Sequence, residues 1–342
     1  MNRALAVLLV AGALAPATGA FTTAQGATNG GIGIRLAEAP TSRRDDPRAH
    51  IYIIDHVKPG ATIQRKIVVS NQAASPQNVS LYSAAADIRN GGFLPAPGQT
   101  ANELSSWTKI SKPSVSLPAG GSETLEATVS VPPKASAGER YAVVWAEVRS
   151  KATTGINEVN RVGIRLYLSV GPGGEPPSDF TIDAVTANRL PDGQPVIYAL
   201  VHNTGGRALD MSGSLRLSKG PGGLNAGPFT AKLGTTLGVK DTEPVTVLLD
   251  KALPAGPWNA RIELTSGLNK RAAEATITFP AAAGPGTAVS AAPVILGEKG
   301  GSTGLPLVPI VGTAAGIGLA ALAFLLIRRP RKKGGGRARH SR

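Results

Sequence analysis

A chain of 342 residues without cysteine has no disulfide framework and no thiolate metal site, so its domains must hold together by apolar burial alone. The net charge of +14 is not a nucleic-acid footprint, because eight of the 36 basic residues follow position 327 and Arg3 lies in the leader, leaving 27 against 22 acidic residues. High glycine and proline, 42 and 27 residues, with short β-rich runs between turn signals, predict an all-β protein.

Residues 1–27 read as a signal peptide and flexible lead. Arg3 precedes an apolar run from Ala4 to Leu14, and small residues suit cleavage after Ala20, with Ala24 and Ala27 as alternatives. An uncleaved N-terminal anchor is the competing reading, but the run is short for a membrane span.

Residues 28–170 predict a first immunoglobulin-like β-sandwich. Strands are expected at 31–36 (GIGIRL) and 50–55 (HIYIID), with a charged loop at 38–48 between them. Over 62–70, Ile63, Ile67 and Val69 share a face with Arg65, while Thr62, Gln64, Lys66 and Ser70 share the other. Period two with one apolar side is a half-buried strand. Residues 79–83 give the next strand. The stretch 88–103 is rich in Gly, Pro and Asn and reads as an insertion or long loop, with Trp107 and Ile110 packing back on the core. Leu125, Ala127, Val129 and Val131 alternate with polar residues until Pro132 and Pro133 stop the ladder. Residues 141–146 (YAVVWA) are apolar on both faces, which predicts a central strand. Val162, Ile164, Leu166, Leu168 and Val170 alternate cleanly, and 171–178 (GPGGEPPS) has the composition of an interdomain hinge.

Residues 179–280 predict a second immunoglobulin-like β-sandwich in tandem. Strands are expected at 180–185 and 196–201, around Leu215 and Leu217, and around Val245, Val247 and Leu249. Further ones fall at Ile262 and Leu264 and at Ala275, Ile277 and Phe279. Residues 281–304 read as a Gly/Ala/Pro stalk. Residues 305–327 carry no charge and as a helix would be roughly 34 Å long, enough for a bilayer core of about 30 Å. The basic segment 328–342 then predicts a cytoplasmic tail and a single-pass type I protein whose N-terminal domains are extracellular. A buried helix of a soluble domain is the alternative, and it leaves the basic flank unexplained.

The two units repeat a pattern. Residues 58–62 (KPGAT) precede a strand that ends at Asn71, and Val201-His202-Asn203 ends another. Leu117-Pro118-Ala119-Gly120 and Leu253-Pro254-Ala255-Gly256 each precede a strand. Glycine supplies positive φ in such turns and asparagine tolerates it.

Residues 57–62 (VKPGAT), 67–71 (IVVSN), Trp107, 115–117 (VSL), 129–132 (VSVP) and 138–145 (GERYAVVW) resemble the DUF916 domain that opens the WxL-interacting proteins of Gram-positive bacteria. Residues 179–280 resemble their second, host-binding-type domain through 201–205 (VHNTG) and 253–256 (LPAG). The resemblance implies a surface-anchored protein with peptidoglycan for the first domain and protein partners for the second. Trp-x-Leu does not occur around Trp107, Trp145 or Trp258, so the chain would be the interacting partner of proteins that carry that motif.

Candidate chemistry is sparse. His50, His56 and His202 lack a zinc spacing. Ser106 and Lys109 match Ser-x-x-Lys, but no Lys-Thr-Gly accompanies them. Asp45 and Asp46 are adjacent rather than alternating, which fits a solvated turn and not a calcium loop. No phosphate loop, Gly-x-Ser-x-Gly or His-Glu-x-x-His occurs. Trp107, Tyr141 and Trp145 are a candidate stacking platform for a sugar ligand, with buried sandwich aromatics as the plainer explanation. Arg43, Arg44, Arg48, Lys58, Arg65 and Lys66 are a candidate basic patch for acidic polymers, with an ordinary solvated surface as the alternative. The expectation is a non-enzymatic, membrane-anchored cell-surface protein that binds peptidoglycan or other surface proteins, without metal or cofactor. The alternatives are a chaperone-like factor that pairs a sheet edge with exported clients and a cell-wall hydrolase.

Overall fold

The computed structural model describes residues 31–151 and 157–296. The expected signal peptide, membrane span and basic tail lie outside these residues. Among the described residues no helix is long and apolar enough to cross a membrane.

The first unit contains strands β1 (Ile32–Leu36), β2 (Ile53–Val57), β3 (Thr62–Asn71), β4 (Gln77–Arg89) and β5 (Gly92–Pro95), then the short helix α1 (Glu103–Trp107). Strands β6 (Thr108–Ile110), β7 (Ser114–Leu117), β8 (Ser122–Ser130), β9 (Gly138–Lys151) and β10 (Asn157–Val170) follow. One sheet has the order β1-β3-β8-β6 and the other β2-β10-β9-β4-β5, with β7 also on β4. Alternation decides what faces inward. Ile67 and Val69 of β3 and Leu125, Ala127 and Val129 of β8 meet Leu81, Ala142, Val144, Ile164 and Leu166 of the opposite sheet. The other face of β9 is buried too: Val143 and Trp145 join Ile54, Ala84, Phe93, Tyr167 and Ala208 in a second apolar cluster. An apolar strand on both faces is thus a central one, between β10 and β4.

The second unit contains β11 (Phe180–Arg189), β12 (Pro195–Asn203), β13 (Leu209–Asp210), β14 (Ser212–Ser218), β15 (Ala226–Thr230) and β16 (Thr236–Leu237). It continues with β17 (Thr242–Leu248), β18 (Gly256–Ser266), β19 (Asn269–Phe279), β20 (Ala288–Ser290) and β21 (Ala292–Val294). Sheets β17-β12-β11-β20 and β15-β14-β18-β19-β21 close over Phe180, Ile197, Val201, Val245, Leu215, Trp258, Ile262 and Phe279.

The repeated asparagines have one job in both units. Asn71 and Asn203 are fully buried. Asn71 Nδ2 donates to the carbonyls of Ser75, Leu117 and Pro118, and its Oδ1 accepts from Ala73 N–H. Asn203 Nδ2 donates to the carbonyls of Arg207 and Gly238, and its Oδ1 accepts from Gly205 N–H. Gly205 is required by close approach rather than by positive φ, since a Cβ there would lie 2.7 Å from Pro177 O and Asp179 N.

Three segments differ from the sequence reading. Residues 88–95 are not a loop: β4 and β5 form a hairpin in which Arg89 pairs with Gly92. Asn90 and Gly91 both have positive φ, 53° and 69°, as a two-residue primed turn requires. Residues 288–294, expected in the stalk, pair first with β11 and then with β19, so the chain switches sheets and covers an edge of each. The linker 171–178 is tied down. Its Glu175 accepts from Arg43 and Arg207, and its Pro177 O accepts from Gly206 N–H at 2.8 Å.

Candidate binding edge and the interface behind it

The hairpin of β9 and β10 outruns its neighbours. β4 pairs with β9 only from Ser80↔Glu147 to Ala85↔Ala142, and β2 pairs with β10 only over Leu166–Val170. Among the described residues no strand pairs with the outer side of β10 upstream of Leu166. Register shows which groups are open. Gly171 N–H donates to Val57 O at 3.0 Å, on the β2 side. Successive residues aim their N–H and C=O at opposite neighbours. Hence the backbone groups of Val159, Arg161 and Gly163 point outward, and those of Asn160, Val162 and Ile164 bond to β9.

A second open edge lies beside the first. Ala37 N–H donates to Lys66 O at 2.9 Å, so the odd residues of β1 bond to β3, while Ile32, Ile34 and Leu36 turn theirs outward. β1 packs against β10. Ile34 and Val162 are only partly buried over the core at this seam, and Val159 is 47% exposed.

The outer face next to the edge is aromatic and charged. A Cβ on Gly163 would lie 2.5 Å from Val143 Cγ1 and 2.7 Å from Trp145 Cε3, so only glycine lets the indole lie against the strand. The Arg161 guanidinium sits 4.5 Å over that indole. Tyr82 Oη and Arg149 Nε donate to the buried Glu147 carboxylate. Burial pushes this carboxyl up, but those hydrogen bonds and the charges of Arg149 and Arg161 outweigh it and hold it below the usual carboxylate range.

Lower on the same face, the second unit covers the sheet through a polar network centred on Asp210. Its Oδ1 accepts from Arg165 Nη1 at 3.1 Å, Tyr167 Oη at 3.0 Å and Thr236 Oγ1 at 2.8 Å. Its Oδ2 accepts from Arg48 Nε at 3.0 Å, and Arg48 Nη1 donates to Ala208 O at 3.0 Å. Glu139 Oε2 accepts from Tyr141 Oη at 2.7 Å and from Ala208 N–H at 2.6 Å. Burial raises the Glu139 carboxyl despite these bonds and the nearby Arg48 and Arg207. Burial first and Asp210 second push up the Tyr167 hydroxyl; burial first and Glu139 second push up that of Tyr141. The β4–β5 hairpin completes the interface, with Thr236 N–H donating to Gly91 O at 2.9 Å.

The three aromatic candidates do not share one surface. Tyr141 is engaged in the interface, 6.4 Å from the Phe93 ring and 5.9 Å from Tyr167. Trp145 lies further along the same face. Trp107 packs against the sandwich core, with the Arg140 guanidinium 5.0 Å over its ring. The basic candidates do gather, Arg43, Arg44 and Arg48 lining one cleft and Arg44, Arg65 and Lys66 another, but most are paired: Arg43 with Glu175, Arg48 with Asp210 and Arg65 with Asp55, while Lys66 stands opposite Glu126. His56 Nδ1 contacts Ser169 Oγ at 3.2 Å between β2 and β10, His50 Nε2 contacts Arg44 O and His202 Nδ1 contacts Thr242 Oγ1. Ser106 is in α1 and Lys109 is exposed on β6. Sequence reading missed Glu139, Arg161, Gly163 and Asp210. Only Gly163, a glycine inside an alternating strand, carried a signal, that of close approach.

A comparison with protein-family models finds no match, and neither does one with curated proteins. Among solved structures, the chain is similar to the YadV chaperone, at 11% identity over 72% of this chain and 99% of that one, with a TM-score of 0.38. It is similar to the class 5 fimbriae chaperone CfaA, at 14% identity over 66% of this chain and 96% of that one, TM-score 0.34. It is also similar to the Escherichia coli chaperone DraB, at 11% identity over 71% of this chain and 95% of that one, TM-score 0.34.

Proposed function

We propose that this chain is a non-enzymatic binding protein, tethered to the membrane by residues 305–327, whose first sandwich takes up an extended segment of another exported protein along the edge of β10. The observation that carries the reading is the open backbone of Val159, Arg161 and Gly163, next to the partly exposed Val162 and Ile34. A strand added there would satisfy the outward donors and acceptors, and its alternate side chains would cover the seam between the two sheets. Peptidoglycan, the partner implied by the sequence resemblance, is the competing ligand.

A photo-crosslinker in place of Val159, in the full-length chain in its membrane, separates the two. Discrete protein adducts are expected. Arg161→Pro removes an outward N–H without touching the β9 ladder, so it should reduce them well below the level seen with Arg161→Ala. Glycan adducts alone, or protein adducts indifferent to the proline, would overturn the strand-addition reading.

A further inference from the structure

The outer face of the second sandwich carries an open groove of about 560 Å³, lined by β14, β15, β18 and β19 and by no residue of β10. Along it β15 bulges away from β14. Pairing jumps from Leu215↔Phe229 to Leu217↔Ala226, which loops out Gly227 and Pro228. Gly227 has φ +101°, and a Cβ there would lie 2.8 Å from Leu215 O. Bulges of this kind open or re-aim a sheet surface.

Charge in the groove is unbalanced. Arg216 of β14 stands directly opposite Arg261 of β18, which stands opposite Glu274 of β19. Like charges in register repel. Arg261 is held by Glu274 at 2.8 Å and by Glu263 at 3.3 Å. The Arg216 side chain is exposed and makes no ion pair or hydrogen bond with any described residue, and neither does the side chain of the neighbouring Lys219. Lys219 is held at φ +52°, an uncommon backbone conformation for a lysine. The next row is neutral and polar: Ser218, Asn259 and Thr276 lie in register, and Asn225 closes one side.

We infer that this groove binds an anionic, hydroxyl-rich chain, a polyol or glycan bearing phosphate or carboxylate groups. The unpaired Arg216 and Lys219 would take the anion, and Ser218, Asn225 and Asn259 the hydroxyls. Among the described residues no aromatic side chain lines the groove, so a nucleic acid would find no stacking platform there. The groove is open along the sheet surface, which suits a polymer threading through rather than an enclosed small molecule.

The test uses the full-length chain in detergent micelles at about 0.15 M salt, where long-range attraction is screened. Oligo(glycerol phosphate) and oligogalacturonate are the two charged probes, and dextran is the neutral one. Binding of the first alone assigns phosphate, and binding of the second alone assigns carboxylate. Arg216→Gln with Lys219→Gln should lower affinity by about tenfold or more, since both charge-assisted hydrogen bonds to the anion are lost. Asn259→Asp, which places a carboxylate in the groove, should do the same. Lys109→Gln with Lys134→Gln removes the same charge from exposed positions of the first sandwich and should change affinity by less than about twofold. The inference is overturned if neither charged probe binds, if dextran binds equally well, or if the two double variants lose affinity alike.

Discussion

At the scale of single residues, several positions are fixed by the space or the hydrogen bonds around them. Gly163 is one. Alanine there would force the Trp145 indole and Val143 away from the strand, and over-packing of this kind costs about 1–3 kcal/mol. Gly163→Ala should lower the urea midpoint and also change tryptophan fluorescence, because the Arg161 stack over Trp145 goes with it. An unchanged midpoint would mean the strand yields at no cost. Asn71 and Asn203 make a second pair. Each satisfies backbone groups of two neighbouring loops from one buried side chain, and alanine would strand them, at about 1–3 kcal/mol per site. The two substitutions should be comparably severe in chemical denaturation; a mild Asn203→Ala beside a severe Asn71→Ala would show that the repeated motif is not structurally equivalent. The sequence made these asparagines visible because the same short pattern occurs twice. It did not make Glu139 or Asp210 visible, since each reads locally as an ordinary acid at a strand end, and its arginine partner is contributed from far along the chain.

At the scale of elements, the strands with strict alternation were legible, and β3, β8 and β10 have the faces their sequence assigns. The β4–β5 hairpin was not, although Asn90-Gly91 is a strong turn signal. Its buried positions Ala84, Ala86, Ile88 and Phe93 lie on the outer face with Val143, Trp145, Tyr167 and Ala208 rather than in the core of the first sandwich, and the run of three alanines at 84–86 hides their period of two. Strands β20 and β21 escaped for another reason: three residues each, AVS and APV, are too short to show a period, and their pairing is set by the open edges of β11 and β19. Local geometry separates the three aromatic candidates. α1 and the following strand carry Trp107 to the core side of the sandwich, opposite the face of Tyr141 and Trp145. The open edge itself yields a prediction that depends only on register. In amide hydrogen exchange, Val159, Arg161 and Gly163 should exchange fast, and Asn160, Val162 and Ile164 slowly, an alternation with period two along one strand. Uniform protection would mean that another part of the chain pairs with this edge.

At the scale of the whole molecule, the two sandwiches are joined by buried polar groups rather than by an apolar seam alone, and this makes the junction sensitive to single charges. Asp210→Ala would leave Arg48, Arg165, Tyr167 and Thr236 without their acceptor, and removing one member of a buried ion-pair network costs about 3–5 kcal/mol. Each sandwich keeps its own core, so the variant should convert a joint unfolding transition into two separate ones. Burial of Glu139 gives the junction a pH dependence. Burial holds its folded carboxyl above the unfolded value, so between the two the folded protein binds more protons than the unfolded chain. This group therefore favours folding on the acid side of that window and opposes it increasingly as the pH rises through it. Both hydrogen bonds to Glu139 end on the same oxygen, so glutamine can accept both through its carbonyl while carrying no charge. Glu139→Gln should match the wild type in melting temperature near the acid end of the window and exceed it at neutral and alkaline pH. Asp55, also raised by burial, remains in both proteins and cancels in the difference. If the variant instead loses stability as the pH rises, the ionised Glu139 is stabilised by Arg48 and Arg207 more than it is penalised by burial, and the junction is held by that charge rather than in spite of it.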